Sequence, residues 1–480
     1  MLLNERLRAA IEGNLEAPAF VSGDEVLSYR GFRALLIATA HYLQEKGVRP
    51  GQVIAITMSQ SPLHCLVFFA LSRLGAVSIS VSPIAHAAER AALFRRFDVR
   101  MVVSDREDSS VDGVPLLHLR QVGTREGLSD FSFAGPEPDA GHPMRIALTS
   151  GTTGEQKGFL QTHDMFARRL DRRYYGEVPA PRVIPPNLHI TASIQLASYA
   201  LTRGGCVVFP GNYDNASFFS AIQRYLVTHV TMPPANLALM LRALPEDKPA
   251  FPSIVHLRLM GITPSPAFLE MARRRFSPNI YVPYSMAETG VVALATPEIL
   301  ASVPRSSGRV VPGARLEVLD ENGRVVPPGT AGEIRVAVDG MARGYYGRDA
   351  DSSRFRDGWF YPHDRGYVNA DGLVFVEGRL DEILNVGGRK IAPSYAESIL
   401  EEHAAVQEAA VFPLDEGVEG IRLAAAIVPR GTPDLVDLAS FARSRLEIFT
   451  PTRFFIVPAI PRNARGKILR KEMQKLVLGK

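Results

Sequence analysis

The sequence is poor in cysteine: there are two in 480 residues, Cys65 and Cys206, each inside an apolar stretch. That count rules out a disulfide framework and predicts two buried, inert thiols, with a reducing compartment as the default. Charge of one sign is also scarce. The formal net charge is +4 and the basic residues form no long run, so nucleic acid is not expected as a partner. Long apolar runs are missing too. The most apolar stretch, 65–85, is broken by Arg73 and Gly75 and falls short of the about 20 apolar residues a membrane span needs. The N-terminal MLLNERLRAA carries Glu5, Arg6 and Arg8 with no apolar run behind them, so it does not read as a signal peptide. The expectation is a cytoplasmic protein without a membrane span. Repeats and low-complexity tracts are absent.

What is present is an ordinary globular composition, 46% hydrophobic and 22% charged, in a chain long enough for two or more packed units. Phe32, Leu35, Leu36, Ala40 and Leu43 recur at helical spacing, with Ser28 placed to cap that helix and Gly47 to end it. Strands are predicted at 53–58, 77–81 and 101–104, with helices at 62–74 and 87–97 between them. Such alternation argues for a parallel sheet covered by helices, and a similar pattern returns from Met144 to about Gly290. From Gly308 the texture changes to short alternating strands split by Glu321-Asn322-Gly323 and Pro327-Pro328-Gly329, which predicts a small barrel or a mostly antiparallel layer. After Gly378 the chain resets: a hairpin around Gly387-Gly388, a helix opened by Pro393, further strands and a helix near 435–446. That is enough for a separate α+β domain of about 100 residues. The fold class is therefore α/β, with a large domain at 1–378 and a small one at 379–480.

Residues 148–158 read LTSGTTGEQKG. Small residues let backbone N–H groups turn inward and cradle phosphate oxygens. The hydroxyls of Thr149, Ser150, Thr152 and Thr153 can donate further hydrogen bonds or help hold Mg²⁺, and Lys157 supplies positive charge. A strand ends at Leu148, so the loop sits where α/β sheets bind ligands. A Walker loop needs glycine immediately before the lysine; here Gln156 stands there, which excludes a GTPase or motor loop.

The spelling TSGTTGxxKG resembles the signature of the adenylate-forming superfamily: acyl- and aryl-CoA ligases, peptide-synthetase adenylation domains and beetle luciferases. The chain is most like a stand-alone acyl- or aryl-acid ligase. In that family proline usually precedes the lysine, and Gln156 implies only a small change in loop stiffness. The resemblance makes Thr149, Ser150, Gly151, Thr152, Thr153, Gly154 and Lys157 ATP-binding residues. Further segments follow in the family's order and cover nearly the whole chain. Residues 284–289, YSMAET, are similar to the YGxTE segment, which implies Tyr284 against adenine and Glu288 as the Mg²⁺ ligand, with Thr152 beside it. Ala287 replaces the phosphate-binding threonine, so Thr289 is left to supply that contact. Taken without the resemblance, this segment reads as a helix start with an acidic first turn. Gly332-Glu333-Ile334 through Gly344-Tyr345 resembles a strand pair that is mainly structural. Residues 359–364, WFYPHD, resemble W(F/Y)xTGD, so Asp364 would hold both ribose hydroxyls, while Pro362 and His363 replace threonine and glycine. Gly378-Arg379-Leu380-Asp381 resembles the domain junction, with Arg379 on ribose or phosphate and Asp381 as the hinge of a mobile C-terminal domain. Residues 385–397 match a loop that lines the thiol tunnel. Residues 461–470, PRNARGKILR, resemble the PRxxxGKxxR tail, which makes Lys467 the catalytic lysine.

The resemblance implies ATP- and Mg²⁺-dependent activation of an aryl or fatty acid to its acyl-adenylate, then transfer to the thiol of coenzyme A. Its alternatives are transfer to the phosphopantetheine of a carrier protein and, outside catalysis, a degenerate nucleotide-binding regulator. The acid pocket is expected around His189, Met232, Met260 and Gly261. No acidic residue stands at 187–195, which disfavours an α-amino acid.

Overall fold

The computed structural model describes residues 1–480 except 112, 125–128, 150–155, 172–175, 246–247, 262–263, 348–351, 383, 387–388, 416–420, 463–467 and 480, and at 133, 385, 389–390, 415, 421, 448 and 471 it describes the backbone alone. Two sheets dominate the first three hundred residues. One has six strands in the order Leu116–His118, Val99–Ser104, Val53–Ile56, Val77–Ser80, Pro143–Leu148, Gly158–Thr162. Neighbours are parallel up to the last pair, which is an antiparallel hairpin. Val53–Ile56 and Val77–Ser80 are buried along their whole length, as apolar runs in a sheet covered on both faces must be.

The second sheet has nine strands. Its parallel centre runs Cys206–Phe209, Arg182–Ile184, His229–Met232, His256–Leu259, Ile280–Met286. Side chains alternate across it. Val230, Met232, Leu257, Leu259, Ile280 and Val282 enter one apolar cluster with the outer helices. His229, Thr231, His256 and Arg258 take the opposite face and are also buried.

The helices Pro62–Arg73 and Thr191–Leu201 are buried nearly all round, in one cluster that draws residues from both sheets. Helices without a polar face belong in an interior of this kind. Among the other expected elements, the helix at Tyr29–Glu45 begins where expected, with the Ser28 hydroxyl accepting from the Gly31 N–H at 3.3 Å.

Residues 314–379 form a six-stranded antiparallel sheet around Gly332–Val338. A small barrel or an antiparallel layer was the expectation for this segment; among the described residues its strands pair antiparallel and share a core with Val292 of the second sheet. Beyond it lies a unit with its own core, in which the helices Pro393–Leu400 and Leu435–Leu446 pack on the strands Val406–Asp415 and Ile421–Pro429. Ser394 of this unit donates its hydroxyl to the Glu377 carbonyl at 2.9 Å. No helix among the described residues is long and apolar enough to cross a membrane. Both cysteines are buried thiols.

Candidate active site

The glycine-threonine segment connects the paired strands Pro143–Leu148 and Gly158–Thr162. The ladder closes at Leu148 and Gly158, and the Thr149 N–H donates to the Lys157 carbonyl at 2.8 Å. Ser150, Gly151, Thr152, Thr153 and Gly154 lie outside the described residues. The exit of the loop is tied to the helix Ala87–Arg96: the Gln156 amide donates to Glu89 at 3.1 Å, and the Gln156 carbonyl accepts from Arg96 at 3.0 Å. Gly158 has a steric reason. A Cβ there would lie 2.6 Å from the Phe97 ring and 2.9 Å from Ile146. Lys157 extends over the ring of Tyr345, its ammonium 4.8 Å from the centroid, a cation–π contact.

Tyr345 also turns its hydroxyl to Glu288, donating to Oε1 at 2.7 Å. Burial and the adjoining carboxylate raise the Tyr345 hydroxyl well above its ordinary range. The segment read as mainly structural therefore supplies a direct partner of the candidate metal ligand. Glu288 is buried and sits in the turn between the strands Ile280–Met286 and Gly290–Ala295, so this acid is presented by a hairpin and not by a helix start. Sequence reasoning missed what holds that turn. Arg169, fully buried on the helix His163–Asp171, donates to the carbonyls of Glu288 at 2.6 Å, Ala287 at 2.9 Å and Gly340 at 3.1 Å. Its signal was an arginine at helical spacing from Phe166, on the buried face that also carries His163 and Leu170. Thr289 is fully buried and its hydroxyl donates to the Gly290 carbonyl at 3.0 Å.

Four residues before Glu288, Tyr284 donates its hydroxyl to Asp364 Oδ2 at 2.6 Å. Burial pushes the Asp364 carboxyl up to about 6, against the pull of the Tyr284 hydrogen bond and the Arg379 charge. Arg379 has Nη1 at 3.9 Å from Asp364 and grips Asp381 with Nε and Nη2 at 2.9 and 3.0 Å. Its Nη1 also donates to the Pro362 carbonyl at 3.0 Å. His363 stands between these groups with φ of +61°. A left-handed backbone suits the glycine that the resembled W(F/Y)xTGD segment has at this position. The His363 carbonyl accepts from the Leu380 N–H at 2.7 Å, and burial followed by the nearby Arg354 charge lowers its imidazole.

The expected acid-pocket residues divide. His189 lies at the start of the helix Thr191–Leu201, its ring 5.0 Å from that of His64 at the start of the helix Pro62–Arg73. Burial pushes His189 down to about 4 and His64 well below its usual range, so both are neutral at physiological pH. Met260 and Gly261 follow the end of the strand His256–Leu259. Met232 is a correction in direction: its side chain packs into the outer cluster, and period-2 alternation puts the neighbouring Thr231 on the inner face.

Lys467 lies within 463–467, outside the described residues. The two arms that carry it are fixed. Arg462 pairs with Ile468, and the Leu469 N–H donates to the Pro461 carbonyl at 2.9 Å. Arg470 donates to both oxygens of Glu397 at 2.8 Å and to Glu382, next to Asp381, at 3.2 Å. Burial raises the Glu397 carboxyl, opposed by Arg470.

Among the described residues no cluster of three or more His, Cys, Asp or Glu forms a protein-only metal cage. A single buried carboxylate oriented by a tyrosine fits Mg²⁺, which is commonly bound by one or two carboxylates together with substrate phosphates.

Comparison with known proteins agrees with this geometry. The family profile "AMP-binding enzyme" matches residues 7–346, and the profile "AMP-binding enzyme C-terminal domain" matches residues 395–467. The chain is 27% identical to a 4-coumarate–CoA ligase of Nicotiana tabacum, over 96% of this chain and 92% of that one. It is 29% identical to a 2-succinylbenzoate–CoA ligase of Geobacillus kaustophilus, over 91% of this chain and 90% of that one. In fold it is similar to the amide bond synthetase McbA of Marinactinospora thermotolerans, with a TM-score of 0.87, 24% identity and 99% of each chain covered.

Proposed function

We propose, from the premise that the chain belongs to the AMP-binding enzyme family, that it is an AMP-forming acid–thiol ligase. It activates a carboxylic acid with an aryl or fatty body as the acyl-adenylate and passes the acyl group to the thiol of coenzyme A. One observation carries the reading. Two series of contacts converge on one hairpin: Lys157 to Tyr345 to Glu288 at its turn, and Arg379 to Asp364 to Tyr284 on its strand.

The roles follow from the chemistry. ATP and a carboxylate repel, so the site must neutralise phosphate charge and align the attack. Lys157 faces the phosphates from the loop. Tyr284 offers a ring to adenine, and Asp364 accepts from the ribose hydroxyls, with Arg379 close by. Glu288, with Thr152 as its expected companion, would hold Mg²⁺, which supplies further positive charge against the phosphates. Lys467 brings a cation between the acid and the α-phosphate. The acid oxygen attacks the α-phosphorus and pyrophosphate leaves. A turn of the 379–480 domain about Asp381 then withdraws Lys467 and admits the thiol. The thiol adds to the acyl carbon, loses its proton and expels AMP.

ATP–pyrophosphate exchange over a panel of acids tests the first half. Lys467→Ala is expected to abolish exchange and to retain thioester formation from pre-made adenylate; full exchange in that variant would refute the assignment. Replacing coenzyme A by a phosphopantetheinylated carrier protein separates the two acceptors.

A further inference from the structure

The inner face of the second sheet is polar where an acyl pocket for a simple hydrocarbon body would be apolar. The helix Thr191–Leu201 joins two parallel neighbours, Arg182–Ile184 and Cys206–Phe209, so it runs antiparallel to the strands beneath it. Its Tyr199 ring lies 5.6 Å from that of His229, the first residue of the strand His229–Met232. One helical turn back from Tyr199 is Gln195, a rise of about 6 Å. Two residues forward from His229 is Thr231, about 6.6 Å along the strand, and Thr231 is in register with Arg258. Gln195 therefore lies level with the Thr231–Arg258 tier, on a helix that packs on Arg182–Ile184 and Cys206–Phe209, near the carboxyl ends of the strands, where ligands of such sheets bind.

All four side chains on this tier and the turn above it are buried: Gln195 5%, Thr231 5%, Arg258 4% and Thr191 7% exposed. The Gln195 Nε2 and Thr191 Oγ1 atoms are buried without a hydrogen-bond partner among the described residues. Buried polar atoms of this kind cost stability unless something satisfies them. Arg258 adds a buried planar cation, whose fork matches a carboxylate. From Arg258 to the pocket rim at Gly261 is three residues, about 10 Å.

We propose that the acid accepted by this site carries a second carboxylate, bound at its far end by Arg258 with the Gln195 amide and the Thr191 hydroxyl. The substrate class is a dicarboxylic acid of aryl or medium-chain body, of which one carboxylate is activated and the other is held. The inference rests on the adenylation reading above.

Pyrophosphate exchange with the full-length protein over matched pairs, adipate against hexanoate and isophthalate against benzoate, tests it. The diacid is expected to lead in kcat/KM by tenfold or more in at least one pair. Arg258→Met is expected to reduce that ratio at least tenfold, Arg258→Lys to restore part of it, and Gln195→Leu to reduce it severalfold. AMP binding by calorimetry reports folding of each variant, and Gln195→Leu carries the test if Arg258→Met fails to fold. Equal or better use of the monoacids by the unmodified protein overturns the inference, as does a ratio that no variant moves. Preference for a neutral hydroxylated acid over its diacid partner overturns it too. Absence of exchange with every acid is a different result: it refutes the adenylation reading itself.

Discussion

Tyr345→Phe isolates one hydrogen bond in the site. The phenyl ring remains beneath Lys157, whose ammonium is 4.8 Å from the centroid. The substitution removes only the hydroxyl that donates to Glu288 at 2.7 Å. A hydrogen bond to a charged group contributes about 1.5–3 kcal/mol. At about 1.4 kcal/mol per factor of ten, its loss lowers kcat/KM for adenylate formation by about ten- to a hundredfold. The loss is expected to show mainly as a raised Mg²⁺ requirement, because the carboxylate proposed to hold the metal loses its orientation. Pyrophosphate exchange at varied Mg²⁺ measures it, and a double-mutant cycle with Glu288→Gln assigns it. In the Glu288→Gln background the tyrosine change is expected to cost less than a further twofold. A loss of the same size in both backgrounds would refute the claim that Tyr345 acts through Glu288. So would an unaltered Mg²⁺ dependence.

Asp364 gives a pH prediction. Its carboxyl is pushed up to about 6 by burial, above the ordinary value of about 3.9. A carboxyl raised in the folded state holds its proton longer than in the unfolded chain, so this group's contribution to stability declines as pH rises from about 4 to about 6. The proposed ribose contact needs the ionised form, so AMP affinity is expected to climb through about pH 6 and level off above it; Asp364→Asn should remove the climb in calorimetric titrations. At His363, φ of +61° is tolerated by glycine and opposed by β-branched residues. His363→Gly is expected to alter stability by less than about 1 kcal/mol and His363→Val to cost about 1–3 kcal/mol, read by denaturant unfolding. Arg470→Met leaves Glu397 buried without its cation, a change expected to cost about 3–5 kcal/mol. Faster amide exchange in the strand Val406–Asp415 is the readout.

Much of this was legible in the sequence for specific reasons. Strands such as 53–56 and 332–338 are set by apolar runs or alternation that no tertiary contact overrides. The loop, Glu288, Asp364 and Arg379 could be singled out because each is embedded in a distinctive local spelling. What escaped were partners far apart in the chain. Arg169 holds the Glu288 turn from 119 residues away and Tyr345 meets Glu288 across 57, and neither carries a local mark of that role. The segment 284–289 turned into a hairpin because its second strand, Gly290–Ala295, has register partners on both sides, which a local helix signal cannot reveal. The inner-face residues Thr231 and Arg258 were one step in parity away from Met232, and only sheet register fixes which face is which.

Gln156 stands where the signature this loop resembles has a proline. A pyrrolidine ring stiffens a chain by its own covalent geometry, at any temperature and in any solvent. Here the corresponding restraint is two hydrogen bonds to the helix Ala87–Arg96, and hydrogen bonds loosen with heat and compete with water. The order of the loop's exit is therefore a property shared with a neighbouring helix, and an exposed position such as Glu89, remote from every reacting atom, becomes part of how firmly the nucleotide is held.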